Sequence, residues 1–382
     1  MRRLLFFVTS SSAGGVLLLI AAALGLVIAN TPLYHIYEET LEMQLGPLPV
    51  HLWINDVLMS IFFLFVGLEV KREMINGELN TNAKRMLPGI SALCGLLVPA
   101  LIYYAINSGN AIDVRGWAIP TATDIAFAIA IVTALGRRVP LAMKSFLTAL
   151  AVMDDLMAIV VIAIFYTSSI AWLYLVGAAV ITGLLIYMNK SGYIRPIPYI
   201  VLGIGLWYCV FNSGLHATLA GVILAMTIPF SGIRQGRHVS PIMEWEHALN
   251  NWVALLIIPL FGLANTGVSF AAFDVDSLAN PVVLGIVLGL FFGKQIGVFG
   301  SLFALVKAKV VPMPAQTSWL QVYGIALCCG IGFTMSLFIS LLAFTPGMAG
   351  APQELAKVGI FVGSILSGVL GYIVLRLAAL KK

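Results

Sequence analysis

The sequence predicts an all-α polytopic membrane protein of about 12 transmembrane helices, one integral domain over residues 1–382. Composition is the first reason: 60% of the 382 residues are hydrophobic and only 10% are charged, where a soluble domain carries about 25% charged residues. The mean hydropathy is +1.02. Spacing is the second, because apolar stretches of about 20 residues, the length that crosses a hydrocarbon core, recur from end to end. The third is the placement of basic residues between those stretches, which alternates in a way that orients the chain.

Twelve apolar spans are read at 12–30, 53–70, 87–106, 116–135, 142–167, 170–188, 196–211, 214–230, 248–268, 281–304, 318–344 and 356–376. Arg2 and Arg3 ahead of the first resemble the start of a signal peptide. The spans that follow make that stretch an uncleaved first helix. With the N-terminus in the cytoplasm, that side receives Arg2, Arg3, Lys71, Arg72, Lys84, Arg85, Arg137, Arg138, Lys144, Lys190, Arg195, Arg234, Arg237, Lys307, Lys309, Arg376, Lys381 and Lys382. These are 18 of the 21 basic residues, leaving Arg115 outside, Lys357 at an outer helix edge and Lys294 within a span. Shifting the count by one span scrambles this alternation, so twelve spans and two cytoplasmic termini are expected together. The first external loop, MQLGPLPVHL (43–52), carries a Gly46-Pro47 turn signal; a hairpin and an ordinary linker are both open.

Two spans read as interrupted. The fourth, GWAIPTATDIAFAIAIVTAL (116–135), has Pro120 followed by Thr123 and Asp124; the eleventh contains GIALCCGIGFTMSLFIS (324–340), with Gly330 and Gly332 near its centre. Proline removes a helix donor and glycine loosens the backbone, so each span is expected as a half-helix, an extended piece and a second half-helix. Irregular backbone at that depth is tolerated only where protein or a water-filled cavity surrounds it. These are the middle members of spans 3–5 (87–167) and 10–12 (281–376), which begin on opposite faces of the membrane. Inverted-topology repeats with two broken helices are therefore expected, the pattern that points to a transporter's binding site. A proline kink and a glycine packing groove in an ordinary bundle are the alternative.

Of the 16 acidic residues, Asp124, Asp154 and Asp155 lie deepest, and Asp56 and Glu69 fall nearer the ends of the second span. Asp154 and Asp155 are adjacent within MKSFLTALAVMDDLMAIVVIAIFY (143–166). A carboxylate at mid-bilayer costs about 2.5–3.5 kcal/mol on insertion scales, so two in a row mark an ion or proton pathway. They project about 100° apart on a helix, so one faces a cavity while the other reaches a neighbour. Lys294, in LFFGKQIGVF, is the obvious cationic partner. Carboxylate oxygen suits a small hard cation, and a site accepting either a proton or a cation couples the two by competition. The alternatives are a purely structural Lys294–Asp pair, Asp124 as a helix cap, and His216 as a satisfied interhelical histidine.

A net charge of +5 does not indicate nucleic acid, since the basic residues form neither a patch nor a run. Cys94, Cys209, Cys328 and Cys329 all lie within apolar spans, where they act as small hydrophobes rather than a disulfide framework or zinc site.

Five strings are more specific: WINDVLMSIFFLFVGLEVKRE (53–73), GWAIPTATDIAFA (116–128), ALAVMDDLMAI (149–159), SGLHATLAGVI (213–223) and CGIGFTMSLFI (329–339). Together they closely resemble the NhaA-type sodium/proton antiporters over nearly the whole chain. The family is one of the known inverted-repeat transporter groups. The resemblance implies a pH-regulated, electrogenic exchanger of the bacterial inner membrane, with roles in sodium tolerance and cytoplasmic pH homeostasis. Protons enter and sodium or lithium leaves; no cofactor and no enzymatic activity are implied. By motif position, Asp155 looks like the principal cation- and proton-binding carboxylate and Asp154 its neighbour at the sodium. Lys294 resembles the lysine that pairs with the Asp154 position. Thr123 and Asp124 match positions where broken helices cross and are implied to belong with Asp155 and Asp154 to the cation- and proton-binding set. Asp124 would also offset the positive half-helix ends and Lys294 the negative ones, and Asp56 resembles an acid of the periplasmic funnel. The family's cytoplasmic pH cluster maps to Glu69, Arg72, Glu73, Glu246 and His247, with His216 as a further candidate. Asn250 stands where the best-known members carry a second histidine, and Met243 and Glu244 replace basic residues. The resemblance also implies a homodimer in the lipid bilayer, joined partly through an external hairpin.

Other functions fit less well. A sodium-coupled solute symporter needs an organic-substrate site, and the spans contain no central arginine. An intramembrane aspartyl protease needs a Gly-x-Gly-Asp string, which neither Asp124 nor Asp155 has. A channel needs a ring of charges.

Overall fold

The structure is a computed structural model that describes residues 13–167, 170–234, 236–268, 278–345, 348 and 352–380. Arg2, Arg3, Lys381 and Lys382, on which the orientation of the termini rests, lie outside the described residues. Among the described residues nine helices are long and apolar enough to cross a membrane, or up to 10 if one bent pair counts as a single span.

That bent pair opens the fold. Helix α1 (Ala13–Ala29) is apolar on all sides, as a membrane helix must be. It turns by 113° into α2 (Tyr34–Glu42), which is amphipathic and carries three acids. The 43–52 loop then forms a hairpin, with β1 (Gln44–Leu45) antiparallel to β2 (Leu48–Pro49). Gly46 supplies the left-handed turn at φ +69°, a conformation glycine adopts without steric cost.

The chain then crosses as α3 (Val50–Asn76) and α4 (Asn82–Asn107). A 3-10 helix (Asp113–Thr121) leads into α5 (Ile125–Ala134), with extended backbone at Ala122 and Asp124 between them. Next come α6 (Leu141–Phe165) and α7 (Trp172–Lys190). Helix α8 (Pro196–Asn212) covers the stretch read at 196–211, whereas α9 (Leu219–Thr227) takes up only part of the stretch read at 214–230. A turn at Gly214, φ +86°, takes up the start of the second stretch. Its far end is closed by Lys71 Nζ, which donates to Met226 O at 2.7 Å, and by Asn189 Nδ2 on Thr227 O at 2.6 Å. These carbonyls at a helix C-terminus would otherwise lack donors. Helix α9 lies tightly on α3, because a Cβ at Gly67 would stand 2.7 Å from Ala225 Cβ.

A second hairpin follows, β3 (Gly232–Arg234) with β4 (Arg237–Val239). Helix α10 (Pro241–Asn265) begins seven residues before the span read at 248–268. Ser240 precedes it and Pro241 opens it, a strong start signal; the charged first turns masked it from an apolar search. Helix α11 is Pro281–Lys307. Helices α12 (Trp319–Cys329) and α13 (Phe333–Ala343) are separated at Gly330–Gly332, and α14 (Pro352–Leu380) closes the fold.

Burial locates the centre. The apolar window of Trp319–Ala343 is 89% buried, whereas that of Trp172–Lys190 is 11% buried. The segment carrying the glycine string is thus walled by protein on all sides, and α7 lies on the outside. Gly330 and Gly332 have φ values of −75° and −92°, so neither needs glycine's conformational freedom. Their requirement is room: a Cβ at Gly330 would stand 2.5 Å from Leu290 O, and one at Gly332 2.7 Å from Leu290 Cδ2.

Candidate ion-binding site in the membrane interior

Asp154 and Asp155 lie midway along α6, 3% and 4% exposed. They are adjacent but their surroundings differ. Asp154 Oδ2 accepts a hydrogen bond from Thr123 Oγ1 at 2.7 Å and pairs with Lys294 Nζ. Lys294 is fully buried. It sits at the junction of two π-helical turns, Gly289–Gly293 and Gln295–Phe299, an irregularity frequent at functional sites. Gly95 lets α4 pack closely beside this region of α11, since a Cβ there would stand 3.0 Å from Val298 Cγ2. The second oxygen, Asp154 Oδ1, is buried without a partner. Asp155 accepts no hydrogen bond among the described residues.

Thr123 Oγ1 also lies 2.8 Å from Cys329 O, at the C-terminus of α12. A hydroxyl carries one proton, so it serves the carboxylate or the carbonyl at any moment. This places the site against the negative end of a helix, where a cation is favoured.

Asp124 is built differently. Its N–H donates to Ile331 O at 2.6 Å, so the two non-helical pieces meet. Its Oδ1 accepts from Phe127 N at 3.1 Å, capping α5. Its Oδ2 accepts from Thr334 N at 2.9 Å and Thr334 Oγ1 at 2.6 Å. Asp124 therefore faces the N-termini of two helices, and its charge opposes both positive ends. Pro120 stands beside this junction, where a Cβ at Gly289 would come within 2.7 Å of Pro120 Cβ.

Sequence reasoning missed Thr334, Ser364 and Gly95. Helix α13 starts at Gly332, which has no capping side chain, so its first N–H groups need acceptors from elsewhere. Asp124 supplies one, and Ser364 Oγ accepts from Gly332 N and Phe333 N, each at 3.2 Å. An uncapped helix start in a buried segment was the available signal.

The other predicted residues form two separate groups. Arg72 Nε bonds Glu246 at 2.8 and 3.1 Å, and Arg72 Nη1 pairs with Glu73 Oε1 at 2.7 Å. Glu73 Oε2 also accepts from Glu78 N at 2.8 Å. Glu69 is half-buried one turn before Glu73, while His247 and Asn250 are exposed. Glu244 pairs instead with Arg234 of β3 at 3.0 Å. His216 is not part of this group: its Nε2 lies 3.9 Å from Asp56 Oδ1, and its Nδ1 is 3.0 Å from Thr218 Oγ1. Asp56 stands on a π-helical turn, Trp53–Leu58.

Residues 6–375 match the family described as Na+/H+ antiporter 1. The chain is 51% identical over 356 residues to the "Na(+)/H(+) antiporter NhaA" of Nitrobacter hamburgensis, covering 93% of this chain and 86% of that protein. It is 50% identical over 358 residues to the protein of the same name from Caulobacter vibrioides, covering 93% and 86%. For the Brucella ovis protein of that name the identity is 47% over 363 residues, covering 94% and 92%. Among solved structures, the sodium proton antiporter MjNhaP1 of Methanocaldococcus jannaschii shares the fold with a TM-score of 0.55 at 16% identity, over 95% of this chain and 92% of that one. With a family match that runs nearly end to end and relatives near half identity, the chain belongs to the Na+/H+ antiporter 1 family.

Proposed function

We propose that the chain is an electrogenic sodium/proton antiporter working by alternating access in a bacterial inner membrane, with Asp155 as the carboxylate that binds either a cation or a proton. One observation carries this reading: of two adjacent buried carboxylates, Asp154 is held by Thr123 and Lys294, while Asp155 has no hydrogen-bond partner among the described residues. A bare charge at that depth is strongly disfavoured, so Asp155 holds a proton or an ion at each stage. A small cation requires the ionised carboxylate, and an arriving proton displaces it. Exchange then follows from competition at one group. The free Oδ1 of Asp154 supplies a second hard oxygen for sodium, and lithium suits the same donors. More protons than sodium ions cross if both carboxylates take protons as the cation leaves. Asp124, whose two oxygens already accept hydrogen bonds, contributes to the cation site by holding the ends of α5 and α13 beside it.

The finer architecture belongs to the same proposal. Counting the bent first pair, α8 and α9 as crossings gives twelve spans and two cytoplasmic termini. The pieces meeting at Asp124 and Ile331 are then broken spans of two inverted repeats, 87–167 and 281–376. Glu69, Arg72, Glu73 and Glu246 regulate by pH from the cytoplasmic side, with His247 and His216 at or beyond its margin, and Asp56 lines the periplasmic approach. The β1–β2 hairpin joins two copies into a homodimer. No cofactor takes part.

The test uses everted vesicles with an acidic interior and a pH-sensitive dye, with sodium or lithium added at several pH values. Sodium-driven loss of the gradient with the native chain, and none with Asp155→Asn at equal insertion, is the expected result. Near-normal exchange by Asp155→Asn removes the site assignment.

A further inference from the structure

We infer that the gap between α1 and α14 is a binding site for one acyl chain of a bilayer phospholipid, seated against the junction that Asp124 holds. A groove of about 500 Å³ opens there between Leu19 and Ala23 on one side and Ile365 and Val369 on the other, with Phe127 and Phe333 in its floor. The rims are open: Leu19, Ile365 and Val369 are 55%, 61% and 53% exposed, whereas Phe127 and Phe333 are 8% and 6%. The two walls pack mainly on different partners, α1 on the last turns of α10 and α14 on α11, α12 and α13, and both rest on α5, which supplies Phe127 to the floor. The groove is thus a seam between packing units.

Depth and chemistry select the occupant. Leu19 and Ala23 lie in the middle of the 17-residue α1, and Ile365 and Val369 in the middle of the 29-residue α14. That is the hydrocarbon level of a bilayer. Among the described residues no charged side chain lines the groove, and Ser364 and Tyr372 carry its only polar side-chain atoms. Ser364 Oγ already accepts two backbone N–H groups, and an apolar cavity of this kind excludes water. A protein helix is about 10–12 Å across, so the groove would hold only roughly one turn of it. A single acyl chain is narrow enough to enter lengthwise. Seated there, it touches the edge-to-face pair of Phe127 and Phe333, 5.2 Å between centroids. It also lies beside Ser364, which holds the start of α13. A chain in the seam opposes sliding of α1 past α14, which makes the ion site sensitive to acyl composition; that last consequence rests on the exchange reading, whereas the site itself does not.

The experiment reads binding without transport. The full chain is placed in liposomes containing a phosphatidylcholine with a diazirine at one acyl terminus, irradiated, and mapped by mass spectrometry. Adducts are expected on Phe127 and Phe333 as well as on Leu173 and Val180, the outward-facing controls on α7. Ala23→Phe at the mouth should lower the floor adducts about tenfold, equivalent to roughly 1.4 kcal/mol, and leave the controls unchanged. An unlabelled floor with labelled controls overturns the proposal. So does a floor labelled equally in the native chain, in Ala23→Phe and in Ile365→Trp, or an unlabelled floor with Ala23→Cys cross-linking between copies.

Discussion

The junction around Asp124, Asp154 and Lys294 and the group around Arg72 both set acids against one base, but under different conditions. At the junction the charges are almost wholly buried: both Asp124 oxygens and one Asp154 oxygen accept from fixed donors, Lys294 among them, and Asp155 and the other Asp154 oxygen do not. At Arg72 the guanidinium and Glu246 are part-exposed, at 30% and 18%, beside a buried Glu73, and one guanidinium serves two acids from different helices. Charge inside a membrane protein survives only when fully committed. Charge at the edge is shared, and can be redistributed as protons come and go. The exception inside, Asp155, is informative because it breaks the rule of its own surroundings.

The largest expected effect tests that commitment. Lys294→Ala leaves the Asp154 carboxylate buried beside Thr123 alone and should cost about 3–5 kcal/mol of stability, read as a lower thermal midpoint in detergent. Adding Asp154→Asn removes the uncompensated charge and should restore much of the loss. Unchanged stability in Lys294→Ala, with unchanged exchange, would show that the pair is not what holds α6 to α11.

Thr334→Val comes next. It removes one charge-assisted hydrogen bond to Asp124 and keeps the backbone one, so about 1.5–3 kcal/mol is expected. Thr334→Ser should behave as native, because the hydroxyl is what Asp124 uses. Equal midpoints for the valine and serine variants would mean that Asp124 is satisfied without Thr334.

Much of this was legible in the sequence, and unevenly so. Adjacent aspartates in an apolar run announce themselves through their energetic cost, and Lys294 was readable as the lone lysine deep in a span. Helix boundaries were lost where polar residues continue a membrane helix: α3 runs on to Asn76 and α10 starts at Pro241, because backbone bonding continues past the last apolar residue. The β3–β4 hairpin was missed although Gly236 marks its turn at φ +74°. The glycines at 330 and 332 were read as the break of the eleventh span, with a packing groove as the alternative; α12 and α13 are separated there, and both glycines also make close packing contacts. Sequence shows that a position lacks a side chain, but not which neighbour needs the space.

Arg72→Ala should cost only about 1 kcal/mol or less, since its ion pairs are partly solvated and screened. Its clearer signature is a changed dependence of exchange on pH, measured in everted vesicles against native protein. An identical profile would separate this group from regulation altogether.

The smallest effect is Asn250→His, which restores the second histidine of the best-known relatives. Position 250 lies four residues after Glu246 on the same helix, so the two share a face, yet Asn250 is exposed and outside the Arg72 group. A histidine there couples to Glu246 only as a surface pair four residues apart does, by about 0.3–0.5 kcal/mol. One pH unit corresponds to about 1.36 kcal/mol, so the midpoint of the exchange profile should move by less than about half a unit. Arg72→Ala should shift it further, because Arg72 touches both acids directly. A shift from Asn250→His larger than that from Arg72→Ala would reverse the ranking and place proton sensing on the exposed face of α10. Adding Glu244→Arg, which breaks the pair with Arg234, would then separate the histidine's own charge from the acidic setting that this chain has built around it.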